Sequence, residues 1–243
     1  MSLSFLTARP IAHRGLHDGN RRRWENTLAA FEAAIAGRFA IELDVQLSAD
    51  GIAMVFHDDR MDRLTDESGP VAAYSAAHLG DTRVGGTAAT IPTLAQVLDH
   101  VAGRVPVIIE MKDNDARNAQ LAVAVATDLD GYDGAAAVMS FSRPLLGHFA
   151  RTRSQVPFGL TAAGTGPTAL ALHERAFALG ISFVSYHVRD LPNAFVAKAR
   201  RRALPVITWT VRTRDELALS RRHADQITFE GFDPDANASL ATN

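Results

Sequence analysis

The chain has 243 residues, 47% of them hydrophobic and 21% charged, with a net charge of −2 at pH 7. This is ordinary globular composition, enough for one sizeable core in a single domain, and the charge gives no reason to expect nucleic acid or an anionic membrane as partner. Cysteine is absent, which excludes disulfides and thiolate chemistry, leaves any metal to oxygen or nitrogen ligands, and fits a reducing cytoplasm.

Met1 to Pro10 lacks a basic segment followed by a long apolar stretch. No run approaches the roughly 20 apolar residues of a membrane helix. The alanine-rich run Ala122–Ala126 is short and is closed by Asp128 and Asp130. A soluble, unprocessed, cytoplasmic protein is expected, and oligomeric state has no visible signature.

In chain order, a strand-like run at Pro10–His13 precedes a helix that Asn26 can cap, with Leu28, Phe31 and Ile35 as its apolar stripe and Gly37 as its stop. A second strand reads over Phe39–Val45. From His57 to Pro92 the chain is loop-like and includes the adjacent Gly85 and Gly86, too long for an ordinary strand-to-helix connection. A helix over Leu94–Val101 and a strand over Val105–Glu110 restore the rhythm. Then follow a helix at Ala116–Leu129, a strand at Ala136–Phe141, a helix at Pro144–Arg151 and a strand at Pro157–Leu160. A helix at Ala169–Leu179, a strand at Ser182–Tyr186, a helix at Asn193–Arg201 and a strand at Pro205–Thr210 come next. Arg214–Arg222, Gln226–Phe229 and Pro234–Leu240 close the pattern as helix, strand and helix. Such alternation predicts a closed parallel (β/α)8 barrel with outer helices; an open doubly wound sheet is the competing architecture, but no glycine-rich phosphate loop follows the first strand.

Barrel sites gather at the carboxyl ends of the strands. There the first strand carries His13-Arg14, the second Glu42 and Asp44, and the third Glu110 and Lys112. Glu42 and Asp44 are two apart, so they share one face of a strand that otherwise reads as buried. Two carboxylates there repel each other and lose hydration, and a cation is the simplest remedy. Glu42, Asp44 and Glu110 supply hard oxygen ligands suited to Mg²⁺ or Ca²⁺; satisfaction by arginines or backbone amides is the alternative. His13 and His57 are candidates for general acid and base, because imidazole titrates near neutrality. Arg14 and Lys112 can neutralise a phosphate ester, or simply pair with Glu25 and Glu110. Trp209 either walls the site or packs in the core, His17 lies at the mouth or on the surface, and His187 is equally ambiguous. Arg21-Arg22-Arg23 reads as a solvated loop, with guidance of an anionic substrate as the minority reading. His78, His100, His148, His173 and His223 are read as structural.

At these residues the chain resembles the glycerophosphodiester phosphodiesterase family. The matching pieces are His13-Arg14-Gly15, Glu25-Asn26-Thr27, Glu42-Leu43-Asp44, Asp50-Gly51, and His57-Asp58 with Arg63-Leu64-Thr65. Ile91-Pro92-Thr93-Leu94, Glu110-Met111-Lys112 and Thr208-Trp209-Thr210-Val211 continue in order. The resemblance runs from residue 11 to about 234. It implies a TIM-type barrel with a small insertion after strand two, spanning about 58–92 of a single domain 1–243. It also implies one divalent ion, Mg²⁺ or Ca²⁺, on Glu42, Asp44 and Glu110, with His13 and His57 as the acid–base pair. Arg14 and Lys112 take the phosphate, and Glu25, Asn26 and Trp209 join the substrate site. The implied reaction is hydrolysis of a small-molecule glycerophosphodiester to an alcohol and sn-glycerol 3-phosphate. A lyase of the phospholipase D toxin type, stopping at a cyclic phosphate, and a non-catalytic phosphodiester-binding barrel are the competing readings. One departure stands out. Such proteins usually close strand eight with Thr-Asp before proline, whereas this chain has Thr228-Phe229-Glu230-Gly231-Phe232-Asp233-Pro234. That altered rim is expected to bear on which alcohol is accepted, and no role passes to Glu230.

Overall fold

The computed structural model of the chain describes residues 3–236. Its first half contains α1 (Phe5–Ala8), β1 (Ile11–Ala12), α2 (Leu28–Ala36), β2 (Ala40–Leu47), β3 (Ala53–Val55), α3 (Ala76–Asp81), α4 (Leu94–Val101) and β4 (Val107–Met111). The second half runs α5 (Asn118–Leu129), β5 (Ala136–Ser140), α6 (Arg143–Arg151), β6 (Phe158–Ala162), α7 (Pro167–Glu174), β7 (Phe183–His187), α8 (Ala194–Arg201), β8 (Val206–Val211), α9 (Arg214–His223) and β9 (Gln226–Phe229). Eight of these strands pair in parallel in the order β1-β2-β4-β5-β6-β7-β8-β9, and β1 pairs with both β2 and β9. The sheet therefore closes on itself with helices between its strands. This is a TIM barrel, and the open doubly wound alternative falls.

Alternation along each strand sorts the side chains. On β2, Ile41, Leu43 and Val45 face outward into the cluster shared with Phe31, Val97 and Val125 of the surrounding helices. Each such aliphatic, fully buried, contributes about 1.5–3 kcal/mol. The residues between them point into the barrel. Its lower layer is apolar, with Ile11, Ala40, Ile108, Met139, Phe183 and Ile207 packed over Leu6 of α1. Higher up, the inward positions turn polar: Glu42, Asp44, Glu110, Thr161, Ser185 and Thr228 are all buried.

Several sequence expectations need correction. Thr27, not Asn26, caps α2, accepting from the Ala30 N–H, while Asn26 takes a left-handed backbone at φ 54°. The stripe of α2 is Ala30, Phe31 and Ala34, with Leu28 exposed; alanine spacing was too weak an apolar signal to read. The stretch 57–92 is not featureless. It holds two 3-10 turns and α3, and buries Met61, Leu64, Val71, Leu79, Val84 and Ile91 against Met54 and Phe56 in its own cluster. α1 and β3 were not anticipated, being four and three residues long. The helix read over Ala169–Leu179 begins at Pro167 and tightens to 3-10 at Arg175. The helix expected over Pro234–Leu240 lies largely outside the described residues. Among the described residues no helix is long and apolar enough to cross a membrane.

Candidate active site

Two backbone devices bring the upper polar residues together. Gly15 turns the chain after β1 at φ 77°, and a Cβ there would meet the Ala30 backbone and the Phe31 ring at 2.9 Å. Only glycine lets α2 approach so closely. The turn places Arg14, itself at φ 54°, so that its N–H donates to Glu42 Oε2 at 2.9 Å. The second device is the hairpin from β2 to β3. Gly51 (φ 87°) closes it, β3 pairs antiparallel with the end of β2, and the Phe56 N–H donates to the Asp44 carbonyl at 3.0 Å. The hairpin thus returns His57 to the barrel mouth beside Asp44.

Glu42, Asp44 and Glu110 are buried at 2, 2 and 7% exposure, and one carboxylate oxygen from each lies within 4.8 Å of the others. Asp44 is held by Lys112 at 3.2 Å, Arg14 at 3.3 Å and the Asn26 amide at 2.9 Å. Lys112 also reaches Glu110 at 2.9 Å. Burial alone would raise the Asp44 carboxyl, but Lys112 and Arg14 outweigh it and hold the group well below its ordinary value. Glu42 shows the reverse. Burial, then the charges of Asp44 and Glu110, push its carboxyl well above the usual range. Burial also raises Glu110, Lys112 opposing and Asp44 reinforcing. Three acids therefore crowd where the resident cations balance only part of the charge. Hard oxygen donors with a charge deficit fit a divalent ion of the Mg²⁺ or Ca²⁺ type.

The two histidines flank this cluster. His13 Nδ1 lies 2.6 Å from Glu230, and His57 Nδ1 lies 2.7 Å from Asp58. Burial lowers the pKa of each imidazole, against the pull of Glu230 on His13 and of Asp44 on His57. Glu25 and Asn26 are buried behind the mouth rather than open to it. Glu25 binds Arg14 at 2.7 Å and Arg63 at 2.8 Å, and Asn26 holds Asp44. A chain of ion pairs thus runs His57–Asp58–Arg63–Glu25–Arg14–Asp44. Beside it, His57, Asp58, Arg63 and Lys112 border a cavity of about 680 Å³. A larger cavity, about 960 Å³, lies at the opposite end of the barrel against Phe5 and α5, away from these charges.

Across the mouth, Trp209 meets Phe141 edge to face at 5.2 Å and His187 at 5.1 Å, with Phe141 49% exposed. Trp209 therefore lies on the rim rather than in the core. His17 is only 9% exposed and faces Glu230, so it too belongs to the mouth. Arg21 and Arg22 are exposed, and Asp18 gathers their backbone N–H groups at 2.9 and 3.1 Å in a local turn. Sequence reasoning missed the ion-pair partners Arg63, Asp58, Glu230 and Arg212. Arg63 stood within the quoted Arg63-Leu64-Thr65 piece; Glu230 was visible only as a departure.

Fold and mouth together define a TIM barrel whose mouth gathers three buried carboxylates with two imidazoles, Arg14 and Lys112 beside them. The sequence matches the profile of the glycerophosphoryl diester phosphodiesterase family over residues 13–235, and the chain belongs to that family. It is 29% identical to YhdW of Bacillus subtilis over 225 residues, covering 86% of this chain and 88% of that one. A glycerophosphodiester phosphodiesterase of Bacillus altitudinis is 40% identical over 111 residues, 42% of this chain and 43% of the other. Among solved structures, an Oleispira antarctica phosphodiesterase in complex with sn-glycerol-3-phosphate superposes with a TM-score of 0.84 at 23% identity, covering 98% of this chain and 99% of that one. A glycerophosphodiester phosphodiesterase from Agrobacterium tumefaciens gives 0.67 at 27% identity, with 90% and 94% covered.

Proposed function

We propose that this chain, a single barrel domain with residues 58–92 as its insertion, hydrolyses a glycerophosphodiester in the cytoplasm to an alcohol and sn-glycerol 3-phosphate. Glu42, Asp44 and Glu110 would hold one divalent cation, Mg²⁺ or Ca²⁺, and His13 and His57 would move the protons. The observation that carries this reading is the buried carboxylate triad, short of positive charge, with both imidazoles and two cationic side chains beside it. The Oleispira relative's bound sn-glycerol-3-phosphate supports the same product.

Arg14 and Lys112 share the charge of the phosphoryl group, and Glu25 and Asn26 act one step back by holding Arg14 and Asp44. Trp209 and Phe141 offer an apolar wall to the carbon skeleton. When bound, the cation supplies Lewis-acid polarisation and neutralises the triad. One histidine takes a proton from the attacking hydroxyl, the substrate's 2-hydroxyl or water. As the new P–O bond forms and that to the alcohol breaks, the other histidine gives its proton to the departing oxygen. If the 2-hydroxyl attacks, water opens the resulting cyclic ester.

Phosphorus NMR of glycerophosphocholine turnover tests this. The expected product is sn-glycerol 3-phosphate, abolished by chelation, and folded His13→Ala and His57→Ala should each lose about 10²–10⁴ in rate. Accumulating cyclic phosphate would make the chain a lyase; no turnover with any glycerophosphodiester and added metal would make it a binding barrel. A chain without cysteine already departs from the secreted, disulfide-bonded toxins.

A further inference from the structure

Glu230 follows β9 at the barrel mouth, between His13 and Arg212. We infer that Glu230, itself anchored by Arg212, is a positioning residue for His13: it takes the Nδ1–H of the imidazole, so that Nε2 is the nitrogen offered to substrate. This rests on the reading of His13 as an acid–base group and identifies what makes it one.

The geometry fixes the carboxylate at both ends. Oε2 lies 2.6 Å from His13 Nδ1, and Oε1 accepts from Arg212 Nε at 2.6 Å. The backbone fixes it too. His13 N–H donates to the Phe229 carbonyl at 3.0 Å, and Glu230 N–H to the Val211 carbonyl at 3.2 Å, so the pair straddles the seam that closes the barrel. Arg212 in turn donates its backbone N–H to Glu216 at 2.8 Å, within the capping box of α9. Burial favours a neutral Glu230, but the hydrogen bonds from His13 and Arg212 outweigh it, and the carboxyl is held well below its ordinary range and ionised. An ionised carboxylate has no proton to give, so the shared proton sits on Nδ1 and the tautomer is set.

His57 repeats the arrangement from unrelated elements. Its Nδ1 lies 2.7 Å from Asp58, which accepts from Arg63 Nε at 2.6 Å and Nη2 at 2.8 Å. Each histidine thus has a carboxylate on Nδ1 and an arginine behind the carboxylate. When Nε2 accepts a proton, the imidazolium finds its counter-charge in place, and the arginine keeps the carboxylate from taking the proton itself. His17, its Nε2 3.8 Å from Glu230, makes no hydrogen bond there. The ligand atoms of His13, His17 and Glu230 lie within 4.8 Å of one another. A second metal is therefore the rival account, one that would displace the His13–Glu230 hydrogen bond.

The test is steady-state hydrolysis of glycerophosphocholine by Glu230→Gln, Glu230→Asp and Arg212→Ala, each with a thermal melt, and by Glu230→Gln on a His13→Ala background. ¹⁵N NMR of the His13 ring accompanies it. Glu230→Gln should lower kcat by about 10- to 100-fold with KM little changed, and Glu230→Asp should recover part of the loss. On the His13→Ala background the same change should alter the residual rate by no more than about twofold. The ring of His13 should be Nδ1-protonated in the parent protein and a tautomer mixture in Glu230→Gln. Arg212→Ala, which keeps the carboxylate, should loosen the same signature if the Gln variant does not fold. Unchanged kcat, an equal loss without His13, an Nε2-protonated ring in the parent, or a second bound divalent ion that Glu230→Gln removes would each overturn the inference. Full activity of His13→Ala would overturn it together with the role of His13. If no variant and no parent cleaves any glycerophosphodiester, the function fails while the ring tautomer still decides Glu230.

Discussion

Glu25 illustrates how a buried acid can be kept charged. Burial works against its ionisation, but Arg63, Arg14 and Asn20 outweigh it and bring the group down from 4.5 to about 2. A carboxyl whose folded value lies below its unfolded one stabilises the fold fully above the unfolded value and ceases to do so as pH falls through the folded one. Glu25 therefore contributes above pH 4.5, and that contribution disappears as pH approaches 2. Arg63 is 46% exposed, so salt screens its share more than that of Arg14. Thermal midpoints of the parent and Glu25→Gln should differ at neutral pH and converge across that window. A constant offset down to pH 2 would contradict the assignment. At this scale the sequence was legible where residue types are rare in their setting, as with two acids on an apolar strand. It was opaque where a role depends on a distant partner: nothing local to Glu230 announces His13, 217 residues away.

The elements were readable in proportion to their length and apolar periodicity. α4 matched its expected bounds because Leu94, Val97, Leu98 and Val101 all turn to the core behind the Thr93–Gln96 capping box. β3 was missed since three residues carry no period, yet that strand delivers His57. Asn26 is a capping residue by type, but the buried Asp44 offers it a stronger partner and leaves Thr27 to cap. The junction of β1 with α2 is where element packing and chemistry meet most tightly. Gly15→Ala would put a methyl 2.9 Å from backbone that cannot easily move, in a left-handed conformation unfavourable for alanine. It should cost about 2 kcal/mol or more, lowering the melting midpoint by about 4–8 °C in a chain of this size. Activity should fall further than stability explains, because Arg14 and its hold on Glu42 shift with the turn. A Gly15→Ala protein with unchanged melting and turnover would show that α2 can retreat freely.

At the scale of the molecule, the barrel mouth divides in two. The strands β1, β2, β4 and β9, with the hairpin beyond β2, end in the ionic half; Phe141 just past β5, His187 of β7 and Trp209 of β8 line the other. The buried inward positions of β6, β7 and β9 are the hydroxyls Thr161, Ser185 and Thr228, which carry no charge. The charge deficit is thus confined to one side, where Glu42, Asp44 and Glu110 converge. Anomalous scattering from crystals soaked in Mn²⁺ would locate a divalent ion there without reference to turnover. A single peak bounded by the oxygens of those three residues is the predicted result; no peak among them, or one between His13, His17 and Glu230 instead, would contradict it.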